Sequence, residues 1–109
     1  MIEAGGLVVG AMFDLTTVGL AAATGDRLDF GEDFSLEQLQ RVFGRRVDVV
    51  VFGATHREIV AFHRGVLLVN PGSPTLPARP RSGAVGTAAL LELERGVALA
   101  EIVTFARPR

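Results

Sequence analysis

Cysteine is absent from this chain of 109 residues, which excludes disulfides and thiolate metal sites. A charge excess of one sign is absent as well. The net charge is -1 and the signs are interspersed, so neither a nucleic acid nor a membrane surface is an expected partner. No apolar run reaches the length of a membrane-spanning helix, because Glu3, Asp14 and Asp26 interrupt the N-terminal region. The start also lacks the basic segment of a signal peptide, and a cytoplasmic protein is the expectation. Internal repeats and low-complexity tracts are missing too.

What is present is a chain with 49% hydrophobic residues, of the length of one domain spanning 1–109. Met1 to Phe13 reads as a strand region, with a break or tight turn at Gly5-Gly6 and an apolar stretch suited to burial on both faces. Phe13 and Asp14 then read as a core phenylalanine and a turn or cap aspartate. Thr16 to Phe34 says least: Val18 to Ala23 suits a short helix or an irregular connection. Asp26, Asp29, Glu32 and Asp33 suit a solvated loop, since their spacing does not match a calcium loop.

The clearest local signal is a helix. Ser35 and Gln38 fit a capping box, with Phe34 and Leu39 placed for a hydrophobic staple. Leu36, Leu39, Val42 and Phe43 fall at helical spacing, and Gly44 is a natural stop. Arg41, Arg45 and Arg46 gather near the negative end of the helix dipole, which explains them without an anion site. Towards the end of the chain, Pro74 to Gly86 reads as a loop. Thr87 to Glu94 and Val97 to Phe105 then read as strands joined at Arg95-Gly96.

The organising stretch is Asp48 to Ser73. Val49-Val50-Val51-Phe52 is short and β-branched, so a buried strand is expected, stopping at Gly53-Ala54-Thr55-His56. Polar side chains just past the carboxyl end of such a strand are where an open α/β sheet places ligands. Two further strands follow, Ile59 to Phe62 and Val66 to Val69, around a turn at His63-Arg64-Gly65. Asn70-Pro71-Gly72-Ser73 suits a type II turn with glycine taking the positive φ. His63 reads as a solvated turn residue. A single histidine such as His56 is more often a partly buried polar side chain than a ligand.

These residues resemble the C-terminal half of the small calcineurin-like metallophosphoesterases of the YfcE type, a fold that a retromer subunit shares. Gly53, Thr55 and His56 match the family's G-H-x-H, Asn70 to Pro74 matches its N-P-G-S-P, and Arg79 lies where a rim arginine is found. The resemblance implies half of a four-layer α/β/β/α sandwich, a mixed β-sheet with one or two helices. It also implies a two-metal phosphoesterase ancestry. The departures matter as much. The first histidine of the G-H-x-H pair is Ala54, another expected histidine falls near Phe13, and the N-terminal D-x-H, G-D and G-N-H/D motifs are missing.

One imidazole cannot hold a divalent ion, which needs several converging ligands. The expected function is therefore a metallophosphoesterase-like binding or assembly module, inactive alone and needing no cofactor. The alternative is a divalent-metal-dependent phosphodiesterase or phosphatase, using manganese or a similar ion, completed by a second chain or an upstream segment. There His56 and Asp14 would be metal ligands and Arg79 would contact substrate. The start of the chain within the family's domain raises the third expectation of a shortened reading frame. Because the family packs this sheet against a second one, absent here, a further copy or another polypeptide is expected to cover the bare face.

Overall fold

The computed structural model describes residues 1–16, 19–20, 22–24, 27–29, 35–55, 57–73 and 84–106. Among them, nine strands and one helix follow in the order β1 (Ile2–Ala4), β2 (Leu7–Ala11), β3 (Ala22–Thr24), β4 (Arg27–Asp29), α1 (Leu36–Phe43), β5 (Val49–Val51), β6 (Ile59–His63), β7 (Val66–Asn70), β8 (Ala84–Glu94) and β9 (Val97–Ala106). The valine run forms β5, the middle strand of a five-stranded mixed sheet ordered β1-β2-β5-β7-β6. β2, β5 and β7 are parallel, and β1 and β6 close the two edges antiparallel. Parallel strands need both faces covered, and β7 is buried along its whole length.

One face lies under α1 and the segment after β2. Leu15, Leu20, Leu39, Val50, Phe52 and Leu68 form its core. The helix ends as expected: the Ser35 hydroxyl accepts from the Gln38 amide at 3.1 Å, and Gly44 closes it at φ 75°. Phe43 lies so close over β2 that a side chain at Gly10 would come 2.5 Å from its ring. The proposed staple partner Phe34 lies outside the described residues.

The other face corrects the expectation that it is bare. The β8–β9 hairpin lies across it, packing Ala89, Leu91 and Leu93 of β8 with Ala98 and Ala100 of β9 on Val9, Val49, Leu67 and Val69. The Leu91/Leu93 alternation turns one face of β8 to this contact, while Glu92 and Glu94 stay exposed. The hairpin turn is anchored by the Gly96 amide, which donates to the Gly5 carbonyl at 2.7 Å. A two-stranded cover is narrower than the sheet beneath. Ile2 at one edge and Val60 and Phe62 at the other remain 66%, 45% and 73% exposed.

Three tight turns share one chemistry. Gly5-Gly6, Arg64-Gly65 and Arg95-Gly96 each have both residues at positive φ, the type I′ geometry that matches strand twist. β6 extends one residue beyond its apolar run to pair His63 with Val66, so the turn contracts to Arg64-Gly65. His63 is thus half-buried, with Nε2 shielded from solvent, and is not a solvated turn residue. Ala22–Thr24 and Arg27–Asp29 pair as a small ribbon, where a short helix or a loop was expected. Small alanines carry no strong local preference for strand, so the pairing itself decides.

Candidate functional site

The parallel strands all deliver their carboxyl ends to one edge of the sheet. The ladder continues past them: Met12 N donates to Val51 O, Phe52 N to Val69 O and Gly53 N to Phe13 O, each at 2.9 Å. Phe13-Asp14, Gly53-Ala54-Thr55 and Asn70-Pro71-Gly72 therefore emerge side by side. This is the position the sequence assigns to ligand chemistry.

At the centre is Asn70, wholly buried. Its Nδ2 donates to Gly53 O and to Thr55 Oγ1, both at 3.2 Å, and its Oδ1 accepts from Gly72 N at 2.9 Å. One amide thus joins the turns after β5 and β7. Thr55 Oγ1 also accepts from Arg57 N at 3.2 Å. Gly72 takes the expected positive φ of 79°. Thr87 of β8 lies against it, its own amide donating to Ser73 O at 2.8 Å. The hydroxyl of Thr87 occupies the space where a Gly72 side chain would project, and it is buried without a hydrogen-bond partner among the described residues.

Ala54, where the family places a histidine, adopts φ 72°. A non-glycine residue in the left-handed region is strained by about 1–2 kcal/mol, and such strain gathers at functional turns. Phe13 is 76% exposed and so is not the core residue expected. β2 ends at Ala11, and the chain turns after Met12 with the Phe13 ring outward. Asp14 is the turn aspartate anticipated. Its Oδ1 accepts from Thr16 Oγ1 at 2.7 Å and from Thr16 N at 2.9 Å. The Thr16 hydroxyl first, and the Thr16 amide second, hold its carboxyl below the ordinary 3.8.

His56 and Arg79 lie outside the described residues. Asp14 stands on the strand end next to the Gly53 turn, so the structure brings it to the same edge as Thr55 and Asn70. Among the described residues no three His, Cys, Asp or Glu side chains converge. Asn70 was visible in the sequence only as a turn residue. The N-P-G-S-P motif marks it, but nothing local shows that its side chain reaches back to Gly53. The arginines near the helix end pair with acids: Arg45 with Glu3 at 2.7 Å, and Arg46 with Asp48 at 3.9 Å. A cleft of about 320 Å³ between α1 and the β6–β7 turn, bordered by Leu39, Val47 and Arg64, lies at the opposite end of the strands. No described helix is long and apolar enough to cross a membrane.

Residues 10–96 match the calcineurin-like phosphoesterase superfamily domain. No curated protein matches the chain. Among solved structures, vacuolar protein sorting 29 from Cryptosporidium parvum is 22% identical with a TM-score of 0.40, covering 80% of this chain and 56% of that one. A double mutant of vacuolar protein sorting 29 from Entamoeba histolytica is 22% identical with a TM-score of 0.41, covering 78% of this chain and 59% of that one. The chain therefore spans less than two thirds of the length of either structure.

Proposed function

This chain belongs to the calcineurin-like phosphoesterase superfamily, and we propose that within it the chain is a binding or assembly module that does not hydrolyse phosphoesters alone. One observation carries this reading. The side chain buried at the strand ends, Asn70, spends both its donor and its acceptor on holding neighbouring turns together. The site is built as an internal fastening. Ala54 and the outward Phe13 stand where the family resemblance places histidines, and neither side chain can ligate a cation. In this reading Asp14 serves its own turn through Thr16.

The partner surface in this reading is the apolar margin left around the β8–β9 hairpin, where Ile2, Val60 and Phe62 are exposed. Its occupant is a protein, either a further copy or a different chain, in a cytoplasmic setting. Nucleic acid and membrane play no part.

A second reading keeps the family's chemistry. Because the chain spans little more than half the length of the solved structures it matches, a second chain or an upstream segment would supply the missing ligands. His56 and Asp14 would join them, and Arg79 would face the substrate. A bound divalent ion would polarise the phosphate and generate hydroxide.

The test uses the purified chain, its metal content, and a generic phosphodiester with manganese. No turnover above buffer is expected, with or without His56→Ala. Manganese-dependent turnover abolished by His56→Ala would overturn the module reading. Activity appearing only when an upstream segment is added would establish the second.

A further inference from the structure

We infer that two copies of this chain pair antiparallel along β6, with Ala61 opposite Ala61, joining their five-stranded sheets into one. The inference names the partner of the assembly module proposed above and rests on that reading. It does not depend on the absence of turnover, so association and hydrolysis fail separately.

β6 is the outer strand of its sheet, with β7 on its inner side and no strand beyond it among the described residues. Edge strands are ordinarily blunted by charge, proline, a bulge or very short length. The opposite edge shows such protection: β1 has three residues, and its Glu3 pairs with Arg45 at 2.7 Å. β6 has five residues, Ile-Val-Ala-Phe-His, without proline, carboxylate, lysine or arginine. Its pairing to β7 runs from Ile59 to His63 without a register shift, so the strand is flat enough to accept a neighbour.

The exposed side chains point the same way. Val60 and Phe62 pair with Val69 and Leu67, so they continue the hairpin-side apolar face towards the open edge. They are 45% and 73% exposed.

Register selects a second copy of this chain as the occupant. Centred on Ala61, a two-fold places each Val60 opposite the second copy's Phe62 and each Ile59 opposite its His63. Centred on Val60, the pairing would set Phe62 against Glu58. Centred on Phe62, it would set Val60 against Arg64. Of these three, the Ala61 register alone sets the exposed Val60 and Phe62 against each other, and opposed apolar pairs of this kind are what stabilise a sheet. The segment is its own complement, as a two-fold interface requires.

The absence of native cysteine makes the test direct. Opposed residues in antiparallel strands have Cα atoms about 4.5–5.5 Å apart, within disulfide reach. Ala61→Cys is therefore expected to give a disulfide-linked dimer under mild oxidation at micromolar concentration. Glu101→Cys, exposed on β9, is the control and should remain largely monomeric. In sedimentation equilibrium the unmodified full chain should dimerise, and Phe62→Lys should weaken association about 30-fold or more while leaving the far-ultraviolet spectrum unchanged. A monomer at tens of micromolar would overturn the inference. So would Phe62→Lys dimers of unchanged affinity, or equal cross-linking at positions 61 and 101. If Ala61→Cys does not fold, the sedimentation comparison decides.

Discussion

The side-chain amide of Asn70 donates to the hydroxyl of Thr55 across 3.2 Å, fastening the end of β7 to the turn after β5. The same nitrogen holds the Gly53 carbonyl, and the oxygen holds the Gly72 amide. Asn70→Ala leaves these groups without their partner in a buried place and should cost about 2–4 kcal/mol. Asn70→Asp should also destabilise, because a carboxylate oxygen would face the Gly53 carbonyl oxygen. Urea unfolding of both variants checks this. A loss under about 1 kcal/mol for Asn70→Ala would show that the fastening is dispensable.

Thr87 gives a prediction of opposite sign. Its hydroxyl is buried beside Gly72 with no hydrogen-bond partner among the described residues. Thr87→Val keeps the shape and removes the unpaired group, so it should stabilise by up to about 1–2 kcal/mol. Gly72→Ala should destabilise by about 2 kcal/mol or more, since it adds a Cβ at φ 79° and drives it into the same hydroxyl. Thermal unfolding of the two variants separates them by sign.

Gly10 and Phe43 set the separation of helix and sheet. An added Cβ at Gly10 would lie 2.5 Å from the Phe43 ring, so Gly10→Ala should cost about 1–3 kcal/mol by overpacking. Phe43→Leu in the same chain makes room. A double-mutant cycle should therefore show the pair losing less than the sum of the single changes.

Acid should act through Asp14. Its carboxyl titrates below the ordinary 3.8, so the folded state favours the ionised form. The stabilisation it supplies is fully present above the unfolded value. It is lost as pH falls through the lower folded value. Asp14→Asn should lower the urea midpoint near neutrality, and the difference from the parent should shrink below 3.8. A constant difference across that range would assign the effect to something other than titration.

Much of the local structure was legible in the chain. Ser35, Gln38 and Gly44 mark both ends of α1, because cap chemistry is settled within four residues. The glycines of the type I′ turns likewise mark three hairpins. Phe13 was misread because hydrophobicity reports a preference for burial but not whether a neighbour is there to supply it. His63 was misread because β6 runs one residue past its apolar core, held there by pairing with Val66. The candidate ligands His56 and Arg79 fall outside the described residues, and of the expected site residues Asp14 alone is described.

By itself the sequence determined the turns, the caps, the buried β5 run and the kinship to phosphoesterases, since each is written in residues a few positions apart. Only the tertiary structure decided that β8 and β9 lie over Val49 and Leu67, and that Asn70 reaches a carbonyl 17 residues earlier. Local sterics confine a backbone to a few shapes. Which distant surfaces those shapes then cover depends on the fit of side chains that no short window contains.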